Sequence, residues 1–555
     1  MVKTKRKKTE VHPHTKVLNH LGLVAGMCKE IGIGSLIDSQ LGSESPDKIL
    51  STGKAIEGLL LNGLGYVNKR LYLVSHFFKN KPVDKLLGVR YLKSDHFNDD
   101  ALGRALDAVY EYGVSELYSM ISVATINLLG REYGLKTESG HLDNTTFHLH
   151  GKEKELDVGD GQVIEITYGH SKDHRPDLVQ IGLQLISDHK SRIPLMMNVL
   201  SGNQEEGKSY GNFVKQHVEQ LQQDYGVRTM IVDSKLYNQK NLALLDTNKS
   251  LIWVTRVPHT LQAVKEVLRG MDAQQFKPLE GYEDYSYQLI CSNYGSVKQR
   301  WIVLHSQKKY ERDLKQFHKK IEKQKLLEHK AYKKFSTQEF DSLDKALEEA
   351  QLFSTKLKYN NLEAIEVLSK NYYQGVGKPK KGQEPHKIGY RIEATLVLDE
   401  NLLEIEKNQL GYFILATNEL DENNMNAQQA LTDYKNQSAT ERGFRFLKDP
   451  NIVGSSLFVQ KPERMMAMVM IMTLCLLVYS ALEFKTRFLL KQQGLTFKNQ
   501  LGKPIQNPSM KWIFECFEGI HILYQQDQEP IILNLEPQHK LILNLFGSNY
   551  WHFYT

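Results

Sequence analysis

The central part of the sequence predicts a mixed α/β fold, because short β-favouring runs alternate there with helical patterns. Strand-like runs cover residues 193–200, 229–232 and 251–255. Helical patterns lie between them at 210–225 and 240–245. A chain of 555 residues is too long for a single hydrophobic core, so we expect about two or three domains.

The amino-terminal part, from residue 14 to about residue 136, predicts helices only. At 52–64, apolar residues such as Ala55 and Leu59 recur at three- and four-residue spacing. Asn98 precedes a further helical pattern and is a typical N-cap residue. The basic segment Met1–Thr9 is either a solvated arm or an arm that grips phosphates. It lacks the apolar run of a secretory signal.

Composition indicates an ordinary globular protein, with 41% hydrophobic and 25% charged residues. The net charge of +6 permits a polyanionic partner without requiring one. The four cysteines form no CxxC pair, which argues against a structural zinc site and against a disulfide framework. We therefore expect a reducing, cytoplasmic location.

The carboxy-terminal part contains an uncharged apolar stretch, Met465–Leu482. Its 18 residues reach the lower length limit of a membrane span, but charged residues abut both ends. A helix that is apolar all round is typical of a buried layer, so we predict a buried helix and no membrane partner. Beyond it, Lys485, Arg487 and Lys491 predict a positive patch, and residues 512–523 predict a helix.

Three carboxylates stand out in the chemistry that the chain offers. Two β-favouring runs, 141–148 and 230–237, carry Asp143 and Asp233. The third carboxylate, Glu441, lies in the segment 433–450. If that segment is one helix, four polar side chains share a stripe about 60° wide. They are Tyr434, Gln437, Glu441 and Lys448. Such a stripe suits a metal ion that carries phosphate, and the alternative is a solvated helix face.

These residues resemble the DDE transposases of bacterial insertion sequences, in the IS-four superfamily marked by Tyr-x2-Arg-x3-Glu-x6-Lys. The chain matches three of the four signature positions, and Gln437 stands where the family has arginine. The resemblance runs from about Leu18 to about Phe488. It is greatest for the branch with a helical amino-terminal domain, which in the family generally binds the element's end; here it could equally serve dimerisation or packing.

The order of meandering strands, helix, strand, helix, strand is that of an RNase H-like fold. We thus predict an RNase H-like catalytic core with an inserted α+β region and an all-helical amino-terminal domain. A strand is expected at 163–168 within the meander. The predicted domains are 1–136 (helical), 137–257 (first part of the core), 258–411 (insertion), 412–495 (second part of the core) and 496–555 (tail).

The resemblance implies that Asp143, Asp233 and Glu441 are catalytic and bind two Mg²⁺ ions, for which Mn²⁺ would substitute. It also implies that Tyr434, Gln437 and Lys448 position DNA phosphates. The expected partners are double-stranded DNA, namely the element's terminal inverted repeats and the target, and a second copy of the chain in a synaptic homodimer. The location implied is the nucleoid of a bacterium or archaeon.

Two other functions stay open from the residues. One is an RNase H-like nuclease or recombinase that cuts DNA without joining it, and the other is a catalytically decayed DNA-binding relative. The Lys-rich stretch 308–334 either lines a DNA path or is a solvated helix face. Trp253 and Trp301 are either base-stacking residues or, as we prefer, core tryptophans. The polar loop 170–177 is interpreted as a hairpin connection, and a DNA contact is the alternative that the resemblance suggests.

Overall fold

The computed structural model describes residues 13–42, 48–66, 73–149, 164–169, 175–204, 206–271, 273–375, 377–449, 461–526 and 528–555. The basic amino-terminal arm and residues 170–174 of the polar loop lie outside this set. The described part is a mixed α/β structure, as the sequence predicts.

The amino-terminal region is mostly helical, and Asn98 caps a helix there as predicted, because its Oδ1 accepts a hydrogen bond from the Ala101 amide at 2.9 Å. One element departs from the all-helical expectation: its first strand pairs antiparallel with a strand of the carboxy-terminal tail. Because the two strands are some 500 residues apart in the sequence, no local pattern predicts their pairing. The elements are β1 (His14–Val17), α1 (Leu21–Ile31), α2 (Ile33–Leu41), α3 (Thr52–Gly63), α4 (Val74–Phe78), α5 (Val83–Leu87), α6 (Asp99–Tyr112) and α7 (Val114–Tyr133).

The next segment builds the centre of the main sheet. Its elements are β2 (Ser139–His148), β3 (Gln180–Asp188), β4 (Pro194–Ser201), α8 (Glu206–Tyr225), β5 (Thr229–Val232), α9 (Gln239–Asp246) and β6 (Ile252–Arg256). The strands lie in the order β4-β3-β2-β5-β6. The meander β2-β3-β4 is antiparallel, whereas β5 and β6 run parallel to β2. This is the strand order of an RNase H-like fold.

The prediction of a strand at 163–168 is wrong for the residues of this segment that the structure describes. Between residues 164 and 169, only Thr167 forms a bridge, to Gln180. Gln180 already belongs to β3, which is fully paired with β2 along this length. The segment therefore forms a single bridge to the sheet and does not join it as a strand.

The following segment widens the sheet and adds a separate unit. Its elements are α10 (Gln262–Arg269), β7 (Lys277–Leu279), β8 (Tyr282–Tyr294), β9 (Val297–Ser306), α11 (Gln307–Phe335), α12 (Leu343–Lys356), β10 (Asn360–Tyr372), β11 (Lys387–Leu398), α13 (Glu400–Lys407) and β12 (Tyr412–Thr417). β12 pairs with β6, and β9, β8 and β7 follow, which makes a nine-stranded sheet. We call residues 307–411 the arm, since β10 and β11 form their own two-stranded sheet.

The last segment completes the fold around one long helix. Its elements are α14 (Ala427–Asn436), α15 (Ser438–Leu447), α16 (Pro462–Gln492), β13 (Phe497–Lys498), β14 (Pro504–Ile505), α17 (Met510–Cys516), β15 (His521–Tyr524), β16 (Ile531–Leu533), α18 (Pro537–Phe546) and α19 (Ser548–Trp551). The helix expected at 512–523 is wrong beyond Cys516. Gly519, at φ +83°, turns the chain, and residues 521–524 then pair with β1 and β16.

Helix α16 is the centre of the hydrophobic core. It packs against α1, α3, α6 and α7 of the amino-terminal region and against β4 of the sheet. It is long and apolar enough to cross a membrane, but its apolar window is mostly buried inside the protein. The prediction of a buried helix is confirmed. Trp253 and Trp301 are core residues too, with 0% and 2% exposure, so base stacking by either ring is excluded in this conformation.

The positive patch predicted at the end of this helix is wrong for two of its three residues. Lys485 is buried, and its Nζ lies 2.7 Å from Oε2 of Glu30 on α1. Arg487 pairs with Glu483 at 2.8 Å. Lys491 is exposed. The spacing of residues along α16 does not reveal that Glu30, far away in the sequence, pairs with Lys485. This is why the sequence predicted an exposed positive patch.

Candidate active site

The register of two parallel strands brings Asp143 and Asp233 together. β2 and β5 pair with His141 opposite Ile231. Asp143 lies two residues further along β2, and Asp233 directly follows the end of β5, where the backbone is still extended (φ −68°, ψ 174°). Residues two apart on a strand share a face, and neighbouring strands are about 4.8 Å apart. Asp143 and Asp233 are therefore neighbours on one face of the sheet.

Local hydrogen bonds hold each aspartate in place. Asp143 is 8% exposed, and its Oδ1 accepts the Asn144 amide at 2.7 Å. Asp233 comes directly after β5, where its side chain caps the short 3-10 turn Ser234–Leu236 by accepting the Lys235 amide at 2.9 Å. The Thr255 hydroxyl donates to the Asp233 carbonyl oxygen at 2.8 Å, which ties this turn to β6.

The segment with the predicted polar stripe is two helices, so the expectation of one continuous helix is wrong. α14 ends at Asn436 and α15 begins at Ser438. The break falls at Gln437. Its backbone amide donates to the Tyr434 carbonyl at 3.2 Å, which is the i→i−3 spacing of a 3-10 turn and not the i→i−4 spacing of an α-helix. Tyr434 consequently lies on one helix, Glu441 on the next, and Gln437 at the junction between them.

Helix α15, which carries Glu441, packs next to the strand of Asp143. The helix packs against β2 and against α16. Phe444 and Leu447 bury into the main core with 6% and 0% exposure. A Cβ at Gly443 would lie 3.2 Å from the Leu476 side chain, which shows how closely α15 and α16 approach. The side chain of Glu441 itself lies outside what the structure describes.

The three residues predicted to position phosphates lie at different places around this helix pair. The ring of Tyr434 packs against the apolar cluster on the sheet face that contains Ile231. Gln437 is half-buried at the helix junction. Lys448 ends α15 as its C-cap residue and is also half-buried. These three residues therefore do not form a stripe along one helix.

The widened sheet holds α14 in position. The Tyr282 hydroxyl lies 2.9 Å from the Thr432 hydroxyl. The Lys435 ammonium sits over the rings of Tyr282 and Tyr285, at 4.2 and 4.0 Å from their centroids. Cation–π contacts of this kind stabilise a helix position by about 0.5–1 kcal/mol when exposed. Strand β8, a part of the predicted insertion, thus fixes the helix that leads to Glu441.

A polar network that was not predicted from the sequence links β2 to α14. His141 Nε2 lies 2.9 Å from His189 Nδ1, and Asn436 Nδ2 lies 3.2 Å from His189 Nε2. Asp433 Oδ1 lies 3.7 Å from His189 Nε2 and accepts a bond from Gln429 at 2.7 Å. No short-range pattern could reveal it, since His189 and Asn436 are 247 residues apart.

Burial governs the protonation of this network. It lowers the pKa of His141 to about 3, lowers the pKa of His189, and raises the pKa of Asp433 to about 6. At neutral pH both histidines are therefore neutral, and Asp433 is mostly ionised. The network joins the strand of Asp143 to the helix before Glu441 through hydrogen bonds between neutral imidazoles.

The donor set of the paired aspartates suits a hard divalent cation. Two carboxylates on neighbouring strands repel each other unless a cation or a proton lies between them. Carboxylate oxygens are the ligands that Mg²⁺ prefers. Among the described side chains, no three His, Cys, Asp or Glu residues form a metal-binding group. The third carboxylate predicted from the sequence is Glu441, whose side chain is outside that set.

Comparisons with known proteins add little to this geometry. Residues 13–123 match the family model of DUF4277, a domain of unknown function, which covers the amino-terminal helices and none of the candidate site. No curated protein matches the chain. Among solved structures, the chain is similar to a cryo-EM structure of the piggyBac transposase synaptic complex with hairpin DNA. The TM-score is 0.38 at 10% identity, over 92% of this chain and 83% of that one, which carries no argument about function.

Proposed function

We propose that the chain is a transposase of the DDE type, which cleaves DNA at the ends of an insertion sequence and joins the freed ends to a target. One observation carries the proposal. The register of β2 with β5 makes Asp143 and Asp233 neighbours on one face of a sheet with RNase H-like strand order. The packing of α15 against β2 brings the helix of Glu441 to the same strand.

In this proposal Asp143, Asp233 and Glu441 hold two Mg²⁺ ions, and Mn²⁺ would substitute for them. Bound there, the ions would supply Lewis-acid stabilisation of the charge that develops on phosphate oxygens. The chain's own contribution is rigid placement. Asp143 and Asp233 are fixed by backbone amides, and α15 is anchored by Phe444 and Leu447. Strand β2, which carries Asp143, contacts both β5 and α15, so Asp143 would hold the metal together with Asp233 and Glu441.

The reaction consists of two displacements at phosphorus. In the first, water attacks a phosphodiester at the element's end and a 3′-oxygen leaves. In the second, the freed 3′-hydroxyl attacks a phosphodiester of the target, and the target's own 3′-oxygen leaves. We propose that Tyr434, Gln437 and Lys448 position the phosphates, with Gln437 as a neutral donor. A phosphate contact fixes DNA position without reading sequence.

The partners in this proposal are the terminal inverted repeats, the target duplex and a second copy of the chain in a synaptic homodimer. The location proposed is the cytoplasm of a bacterium or archaeon, at the nucleoid. The four cysteines are free, as a reducing compartment requires.

The test is cleavage of labelled DNA that carries the sequences flanking the gene, with Mg²⁺ present or withheld. Wild type should nick at the element boundary and transfer the freed strand to a second DNA. Asp143→Asn and Asp233→Asn should lose both activities while unfolding at the wild-type temperature, since each change is nearly isosteric. Asp246→Asn is the matched control, because Asp246 pairs with Lys249 at the surface end of α9 and should leave both reactions intact.

The alternatives give different results in the same assay. Metal-dependent nicking without strand transfer would replace the transposase by a nuclease or recombinase. Binding of the flanking DNA by folded wild type with no nicking would indicate a catalytically decayed relative. Cleavage that survives Asp233→Asn would overturn the site itself.

A further inference from the structure

The arm carries a two-stranded ribbon that is basic at its tip. β10 and β11 pair antiparallel from Asn360 opposite Leu398 to Tyr372 opposite Lys387. In the part of the chain that the structure describes, these two strands form a sheet of their own. At about 3.4 Å per residue, 13 residues of β10 extend the ribbon by roughly 40 Å. Most of β10 is exposed along that length.

Charge is segregated along this ribbon. Its base is acidic, with Glu363 and, directly opposite each other, Glu366 and Glu393. Towards the turn the sign reverses, and Glu384 is the only acidic residue of the sequence from 370 to 391. The basic residues of that stretch are Lys370, Lys378, Lys380, Lys381, Lys387 and Arg391. A ribbon that is acidic at its base and basic at its tip presents the tip to a polyanion.

The basic residues divide into those that brace the ribbon and those that the turn presents. Lys387 pairs with Asp341 at 2.9 Å, and Arg391 pairs with Glu339. The Tyr372 hydroxyl also donates to Glu339. These contacts fix one face of the ribbon against the segment before α12. They leave the turn as the part that reaches outward.

The turn displays three lysines on a backbone rich in glycine and proline. Lys378, Lys380 and Lys381 are exposed. Gly375, Gly377 and Gly382 flank them with φ values of +106°, +124° and +88°, a backbone region that other residues rarely adopt. The Gln383 backbone amide donates to the Lys380 carbonyl at 3.0 Å, which forms a tight turn within the connection between β10 and β11. Three exposed lysines therefore lie at the end of the two-stranded ribbon.

We propose that this ribbon docks its tip into the major groove of duplex DNA, with Lys378, Lys380 and Lys381 on the phosphates. The major groove of B-form DNA admits a two-stranded β-ribbon, whereas the major groove of A-form RNA is too deep and narrow for side chains to read. Lysines bind phosphate without sequence preference. The inference rests on the proposed function, since it gives the DNA-cleaving chain a second DNA contact, outside the carboxylate site.

The experiment measures binding of the full chain to a random-sequence DNA duplex, without Mg²⁺, over a range of salt concentrations. Lys378→Gln/Lys380→Gln/Lys381→Gln should reduce the slope of log affinity against log salt by about 3, close to 1 for each phosphate that a lysine no longer neutralises. The matched control removes three lysines that already pair with carboxylates. They are Lys54, Lys190 and Lys249, each replaced by glutamine.

The control changes the net charge equally and should leave the slope near the wild-type value. A second variant replaces the three tip lysines by arginine and should bind like wild type, which separates charge removal from damage to the turn. An unchanged slope in the glutamine variant, an equal reduction in the control, or equal tip-dependent binding to a duplex RNA would overturn the proposal.

Mg²⁺-dependent cleavage by the same proteins is scored separately. Tip-dependent binding without cleavage would contradict only the proposed function, whereas cleavage with tip-independent binding would contradict only this proposal.

Discussion

The body of the protein and the arm bury their charges in opposite ways. In the body, Lys485 of α16 contacts Glu30 of α1 at 2.7 and 3.0 Å, and the Tyr550 hydroxyl donates to the same carboxylate at 2.5 Å. Three distant parts of the chain meet in that contact. In the arm, Glu328 is 3% exposed and accepts the Lys358 and Asn360 amides at 2.9 and 3.1 Å. In the arm, the buried carboxylate therefore accepts hydrogen bonds from backbone amides that are only about thirty residues away in the sequence.

The hydrophobic clusters show the same contrast. One continuous cluster extends from Leu18 to Tyr554 and includes residues of the amino-terminal helices, the sheet and the tail. The arm instead rests on two small clusters, one around Phe335 and Phe340 and one around Phe317 and Tyr359. Long-range contacts make the body a cooperative unit that can hold the proposed carboxylate site rigidly. Local contacts let the arm open by itself, as the proposed docking of its tip on DNA would require.

The largest effect on stability should come from breaking the buried pair of the body. Lys485→Met leaves the Glu30 carboxylate without its cation, and such a change costs about 3–5 kcal/mol. The cooperative unfolding transition in denaturant should shift to lower concentration by the corresponding amount. The double change Lys485→Met/Glu30→Gln should recover part of this stability, since a glutamine side chain still accepts from Tyr550.

Lys491→Met is the matched control for that prediction. Lys491 lies less than two turns further along α16 and is exposed, so its replacement should change stability by less than about 0.5 kcal/mol. An unfolding midpoint for Lys485→Met equal to that of wild type would show that this contact does not tie the body together.

A smaller and local effect is expected in the arm. Glu328→Gln replaces one accepting oxygen by an amide group, so the amide and side chain of Asn360 lose their acceptor at Oε2. Leaving such donors unsatisfied costs about 1–3 kcal/mol. Hydrogen exchange should quicken at residues 324–360, while the unfolding transition of the body stays at its wild-type position.

Glu322→Gln serves as the control on the same helix, because Glu322 is exposed and its pairing with Lys325 at 3.3 Å contributes little. A shift of the global transition by Glu328→Gln would contradict the separation of arm and body.

Strands whose pattern is local were predictable from the sequence. β5 has the predicted bounds, Thr229–Val232, because four consecutive buried residues follow a turn and precede a polar aspartate. Strand β10 was not predicted, because it is exposed along most of its length and its polar residues are not confined to one face. The domain boundaries drawn from the sequence stay predictions.

The candidate site was predictable in part. A β-favouring run marks each aspartate, but the register that makes them neighbours depends on two strands whose aspartates are 90 residues apart. The helix break at Gln437 was not predictable, since no proline or glycine lies at it. The hydrogen-bonded link from His141 through His189 to α14 could not be predicted, because it joins residues that are far apart in the sequence and meet only in the folded structure.

Direct binding of Mn²⁺ to the DNA-free protein, followed by electron paramagnetic resonance, tests the central claim that Asp143 and Asp233 form one cation site. Wild type and Asp246→Asn should bind the ion alike. Asp143→Asn and Asp233→Asn should each abolish that binding, and Glu441→Gln should weaken it. Mn²⁺ binding that is unchanged by both aspartate substitutions would contradict the site.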